Sequence, residues 1–171
     1  PGDIYGAAKA SAEFIGIQYA SEFDLDFRSL RVYFAYGPGR LPSEVTPIHQ
    51  AVFGSLTGQT RIEMKAGADQ SIDFTYIKDI ARAVCLLYEA PELTYRQYNV
   101  SSGVCYQIPE LIEKVAGYAG VELDISIGPG RIMPRGPSID SSRLQKELNF
   151  QAEYDLASGV EEYRKWLIDQ P

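Results

Sequence analysis

The sequence predicts an α/β protein with a largely parallel sheet. Three observations point to it. Short stretches rich in Val, Ile, Phe and Tyr alternate with stretches of helical apolar period from one end to the other. Apolar residues make up 45% of the 171 residues, enough for one domain with a real core or for part of a larger one. No internal repeat or low-complexity segment interrupts the alternation.

The elements follow in order. Residues 5–22 read as a helix, rich in Ala and Glu, with Gly16 its only interior breaker and a broad apolar face through Phe14, Ile15, Tyr19 and Phe23. "DFRSLRVYFAY" (26–36) reads as one strand that stops at the "GPG" turn, 37–39. Residues 46–58 read as a helix with Thr46 as cap and Pro47 in the first turn. "RIEMK" and "SIDFTYI" read as short strands joined by the polar "AGADQ" turn. Ile77, Ile80, Ala81, Val84, Leu87 and Tyr88 recur at helical spacing over 77–90, and Pro91 ends that helix. Asp79 in its first turn suits the positive helix end as a cap. A strand at 96–102, a helix from Pro109 to Gly120, the strand "ELDISIG", and the helices "SSRLQKEL" and "LASGVEEYRKWLID" complete the chain. The loop "GPGRIMPRGPSID" (128–140) is the longest irregular stretch, with the character of a binding-site segment or lid.

Charge and composition narrow the partners. The formal charge is −7 and no basic block interrupts it, which argues against nucleic acid. No apolar run reaches the roughly 18 residues of a membrane span, and the first residues lack the basic start and apolar stretch of a signal peptide. Cys85, inside an apolar helical run, reads as a buried free thiol, and two cysteines fit a reducing cytoplasm. A single histidine, His49, argues against a zinc site, and no metal is expected.

Tyr5 and Lys9 carry the candidate chemistry. Residues four apart lie one above the other on a helix. A phenol is too weakly acidic to serve as a base at neutral pH, and a nearby ammonium favours the phenolate. A tyrosine tuned in this way takes a proton from a hydroxyl while a hydride leaves the same carbon, or returns it in reverse. In a chain with 12 tyrosines the spacing alone is an ordinary coincidence, so context must decide.

The context is a series of ordered motifs: Arg31-Val-Tyr-Phe-Ala-Tyr36-Gly37-Pro38-Gly39 at a strand end, Ile72-Asp73-Phe74-Thr75-Tyr76-Ile77-Lys78-Asp79 opening a helix, Tyr98-Asn99-Val100, "IDSSRLQKELNF" (139–150), and a closing helix with Trp166. With the Tyr-x-x-x-Lys helix ahead of them, they resemble the extended short-chain dehydrogenase/reductase family, the NAD-dependent epimerases and dehydratases. The match runs over nearly the whole chain.

The resemblance implies the second half of a Rossmann-like parallel sheet, from residues 1–37 and 76–101, plus a small α/β substrate-binding lobe from 38–75 and 102–171. It implies Tyr5 as acid/base and Lys9 as the holder of the nicotinamide ribose, with NAD as cofactor and NADP left open. Tyr33, Phe34 and Ala35 are expected to line the nicotinamide, with plain strand packing as the competing reading. Phe34, Arg40, His49, Arg61, Ile72 and Arg135 are the candidate substrate contacts, against solvated arginines and a surface histidine. Phe34 and Ile72 stand where many nucleotide-sugar enzymes of the family carry Asn and Arg, and Ile72 cannot make the charged bonds to a diphosphate that Arg makes. The family's Gly-rich phosphate turn, expected more than a hundred residues before the Tyr-Lys helix, occurs nowhere in 1–171. The chain therefore reads as the C-terminal part of an NAD(P)-dependent sugar or nucleotide-sugar epimerase/dehydratase, expected to bind NAD poorly alone. The alternatives are a dehydrogenase or reductase of a sugar acid or other small hydroxy compound, and a non-catalytic binding protein that kept the fold. A homodimer through the 5–22 helix is expected of the full-length protein.

Overall fold

The computed structural model describes residues 2–170. In chain order the elements are α1 (Ile4–Phe23), β1 (Ser29–Val32), β2 (Ala35–Tyr36), α2 (Pro47–Phe53), β3 (Arg61–Met64), β4 (Ser71–Ile72), β5 (Thr75–Tyr76), α3 (Ile77–Glu89), β6 (Gln97–Val100), β7 (Tyr106–Gln107), α4 (Ile108–Ala119), β8 (Asp124–Ile127), α5 (Ser142–Leu148) and α6 (Leu156–Ile168). The fold is α/β with Rossmann-like parallel strand pairs. β1 runs parallel to β6, β2 to β5 and β3 to β8, while β4 pairs antiparallel with β7.

Local chemistry sets the helix ends. Asp3 caps α1, its carboxylate accepting the Gly6 N–H at 2.6 Å, and Asp24 closes it in the left-handed region at φ 52. Pro47 opens α2 behind Thr46, and a 3-10 turn (Gly54–Thr57) continues it. Gly120 ends α4 at φ 69, where a side chain is strained. Two apolar clusters form the core. The larger gathers residues of α2, α4, α6 and the adjoining strands around Tyr36, Phe53, Ile72 and Tyr76; the smaller joins Ile80, Ala83 and Leu87 of α3 to Tyr98, Val100 and Leu144.

Several sequence expectations need correction. The stretch read as one strand over 26–36 is two, because the chain changes partners at Tyr33 and Phe34. The Tyr33 N–H still bonds the carbonyl of Val100, the last residue of β6, whereas the Phe34 carbonyl accepts the Thr75 N–H of β5 at 2.9 Å. Phe34 turns through φ 33 to make the switch. β3 does not pair with the "SIDFTYI" segment; its partner lies some sixty residues on, in β8. Asp79 does not cap its own helix. It is 1% exposed, and its carboxylate accepts the N–H groups of Glu153 and Tyr154 at 2.9 and 3.1 Å, tying α3 to the segment before α6. Cys85 is free but exposed, since α3 buries Ile80, Ala83 and Leu87 and turns Val84, Cys85 and Tyr88 outward. The apolar breadth of α1 is likewise open: Ala20 is its one buried residue.

Candidate active site

Tyr5 and Lys9 share one open face of α1. The Lys9 Nζ stands 5.5 Å from the centroid of the Tyr5 ring, within cation–π range. Both side chains are exposed, and among the described residues Lys9 makes no ion pair. They line a cleft of about 630 Å³ together with Glu13, Arg31, Tyr33 and Arg135. One wall of it is fixed by Glu13, whose carboxylate accepts from Arg31 Nε at 2.9 Å and Ser29 Oγ at 2.7 Å. The Arg31 guanidinium, seconded by Ser29, holds the Glu13 carboxyl below its ordinary value against the opposing effect of burial.

A second cleft of about 480 Å³ adjoins the first, and the residues common to both are Tyr5 and Arg135. Its walls are Phe34, Pro47, Ile48, Ile132 and Met133, with Thr46 at the side. The Phe34 ring is positioned edge-on to Tyr33 and Phe74, with centroids 5.0 and 5.4 Å apart.

The loop 128–140 supplies the far wall of both clefts and is stitched down rather than free. Gln70, 1% exposed, accepts the Ile132 and Met133 N–H groups on Oε1 at 2.9 and 3.1 Å and donates from Nε2 to the Met133 carbonyl at 3.3 Å. The Tyr33 hydroxyl donates to the Gly136 carbonyl, and burial raises the Tyr33 phenol above its ordinary range. Asp73, fully buried, accepts the Ser102 and Gly103 N–H groups and the Ser102 and Ser138 hydroxyls. Neither Gln70 nor Asp73 was assigned a role from the sequence. For Asp73 the available signal is its type, since a polar residue inside an alternating apolar run needs a buried partner; Gln70, in the polar AGADQ turn, carries no such signal.

The other candidates separate. Tyr33 faces the first cleft and Phe34 the second. Ala35, Arg40 and His49 line a third hollow of about 370 Å³ behind the GPG turn. His49 is not the surface residue weighed against a substrate contact: it is 5% exposed, its Nε2–H donates to the Ala35 carbonyl at 2.9 Å, and Nδ1 accepts from Thr46 Oγ1 at 2.8 Å. Burial pushes its imidazole below the ordinary value, with the Ala35 bond acting the other way. Arg61 is exposed on β3 beside Glu63 and Asp124. Ile72 is 0% exposed, packed in the larger core where no ligand reaches it. Among the described residues no group of three or more acidic, His or Cys side chains converges on a metal position, and no helix is long and apolar enough to cross a membrane.

A Tyr-Lys helix, a strand ending at a Gly-Pro turn and parallel strand pairs together suit one family, whose model, the NAD dependent epimerase/dehydratase family, matches residues 1–101. The chain belongs to that family. Among curated epimerase/dehydratase relatives, UDP-glucose 4-epimerase of Corynebacterium glutamicum is 30% identical over 95% of this chain and 54% of its own. The mitochondrial L-threonine 3-dehydrogenase of Bos taurus is 28% identical over 91% of this chain and 43% of its own. Among solved structures, RMD from Pseudomonas aeruginosa complexed with NADPH superposes with a TM-score of 0.80 at 25% identity, covering 96% of this chain and 55% of that one. The chain thus spans about half the length of the curated relatives it matches.

Proposed function

We propose that this chain is the C-terminal, catalytic-pair-bearing part of an NAD(P)-dependent epimerase or dehydratase acting on a sugar-type carbinol. The observation that carries the reading is the Tyr5–Lys9 pair, ammonium over phenol, exposed on one face of α1 and open to a cleft. Membership of the NAD dependent epimerase/dehydratase family supports it.

The residues present suit a nicotinamide nucleoside. Among the described residues the Lys9 ammonium has no ionic partner, and with the Tyr5 phenol it faces an open cleft, where Lys9 would hold ribose hydroxyls and the Tyr33 edge would flank the ring. The chemistry that a nicotinamide cofactor would supply there, when bound, is a hydride acceptor and donor for the substrate carbon. Tyr5 takes the proton of the substrate hydroxyl as that carbon is oxidised and gives it back on reduction. Lys9 holds its positive charge over the Tyr5 ring, 5.5 Å from the centroid. Residues 1–37 and 76–101 form the nucleotide side of the site in this reading, and 38–75 and 102–171 the substrate side. In this reading the phosphate-binding turn belongs to an N-terminal half of the same longer protein, and the full-length protein works in the cytoplasm as a homodimer.

A second reading, oxidation of a small hydroxy compound with release of reduced cofactor, is favoured by Ile72, which stands sealed in the core where a sugar nucleotide would meet an arginine. Both readings use the same Tyr5 chemistry. In the full-length protein, Tyr5→Phe lowers turnover by about 10²–10⁴-fold while NAD titration gives nearly the parent affinity. Lys9→Met lowers both. Turnover by Tyr5→Phe at more than about a tenth of the parent rate would rule out the proton relay, whereas no cofactor reduction by the parent protein with a panel of sugars and sugar acids would favour the non-catalytic binding protein.

A further inference from the structure

The second cleft restricts what Tyr5 can act on. Resting on the proton-relay reading of Tyr5, and taking the second of the two readings above, we propose that the substrate is a small secondary alcohol with one carboxylate and a short apolar substituent. The carboxylate lies on Arg135 and the substituent against Phe34, Ile132 and Met133; sugar nucleotides are not substrates.

Tyr5 and Arg135 are the residues the two clefts share, so a molecule with its hydroxyl at Tyr5 has Arg135 beside it. Arg135 is the single charged side chain of the second cleft. It is held by Asp3 alone, at 3.4 Å, with both side chains about half exposed. Such a pair contributes little in water, so a ligand carboxylate displaces Asp3 readily. Asp3 stays close by and disfavours a second negative charge on the ligand.

A diphosphate needs more donors, and the neighbouring ones are already committed. The Ile132 and Met133 N–H groups are spent on Gln70 Oε1. The Thr46 hydroxyl is bonded to His49 Nδ1 at 2.8 Å. The Arg131 guanidinium gives one of its N–H groups to the Arg135 carbonyl and does not line the cleft. What is left is an apolar wall, against which phosphate oxygens would be stripped of water without replacement. Gln70 is buried and triply bonded to that wall, so the wall does not rearrange to free its N–H groups.

The test uses the full-length protein saturated with NAD. Titration calorimetry measures binding of 3-hydroxybutyrate, its uncharged amide, a 6-deoxyhexonate and UDP-glucose, and chromatography follows conversion. Either acid binds and is converted, the two arms separating an alkyl hydroxy acid from a deoxy-sugar acid, and UDP-glucose is not bound. Arg135→Met weakens binding of that acid by about tenfold to a hundredfold and leaves the amide unaffected, so the acid–amide ratio falls towards one. Arg135→Lys restores part of the ratio, which a purely structural role would not. Tighter binding of UDP-glucose than of both acids, failure of both acids to bind, or an unchanged acid–amide ratio in Arg135→Met overturns the proposal. Tyr5→Phe tests the earlier reading separately, since it removes conversion while acid binding stays.

Discussion

At residue scale, Asp73 shows how one buried carboxylate organises a site it does not touch. Four donors meet on it: two backbone N–H groups and the hydroxyls of Ser102 and Ser138, the latter at 2.6 Å and carried by the cleft loop. Removing the carboxylate takes away the Ser138 tie and the Gly103 acceptor, while the Ser102 N–H keeps Thr75 Oγ1 at 3.1 Å. Asp73→Ala should therefore lose about 1–3 kcal/mol in urea unfolding and speed amide exchange across 136–139. His49 makes a pH-dependent contribution at the same scale. Burial depresses its folded pKa below the unfolded value of about 6.5, so the unfolded chain binds a proton there that the native chain resists. The stability His49 supplies is full above about pH 6.5 and is lost as pH falls through the folded value. Glu13 and Glu162 have the same sign lower down: Arg31 depresses the first and Lys78 the second, so their contributions are present above the usual carboxylate range and lost below it. Unfolding midpoints taken at stepped pH should fall in two stages, and His49→Gln should remove the upper one.

At element scale, close approach decides which helices meet which strands. Gly159 of α6 lies where a Cβ would sit 2.1 Å from the Tyr36 hydroxyl. Tyr36 cannot retreat, being 5% exposed and stacked on Phe53 at 4.8 Å. Gly159→Ala should cost about 1–3 kcal/mol by overpacking, read as a lowered thermal midpoint, while Gly117→Ala, with open space around it, should not. Elements of this kind were readable in the sequence only where the chain signals itself locally. α1, α2, α4 and the GPG turn follow from caps, Pro and Gly positions, and the Tyr5–Lys9 juxtaposition follows from helical spacing. The break at Phe34 does not, because the switch from β6 to β5 is imposed by strands that lie far along the chain, and phenylalanine is no turn residue. For the same reason the β3–β8 register, the sealed Ile72 and the buried His49 were hidden: each depends on a partner some fourteen to sixty residues away. Cys85 misleads in the opposite sense, since α3 has apolar residues around much of its circumference and only packing tells which side is covered.

At the scale of the whole molecule, the described chain leaves apolar side chains exposed on α1, β1 and α3, and an open strand edge. Among the described residues β1 has a hydrogen-bonded partner, β6, on one side only. Val32 on that strand is 44% exposed. Phe14, Tyr19 and Phe23 of α1 are each more than half exposed, and Val84 and Tyr88 of α3 are 51% and 86% exposed. So many large apolar side chains in water favour association, and an open parallel edge is a template for another strand. Residues 1–171 taken alone should therefore self-associate. Sedimentation velocity should give a weight-average coefficient that climbs with protein concentration. Sulfate should strengthen the association and a low concentration of urea should weaken it, the signature of apolar burial rather than of ion pairing. Phe14→Glu, on an exposed helix face, should restore a concentration-independent monomer without lowering the unfolding midpoint. Concentration-independent sedimentation of the parent chain would mean that the α1 face and the β1 edge are compatible with water as they stand, and that the surface has no need of a partner.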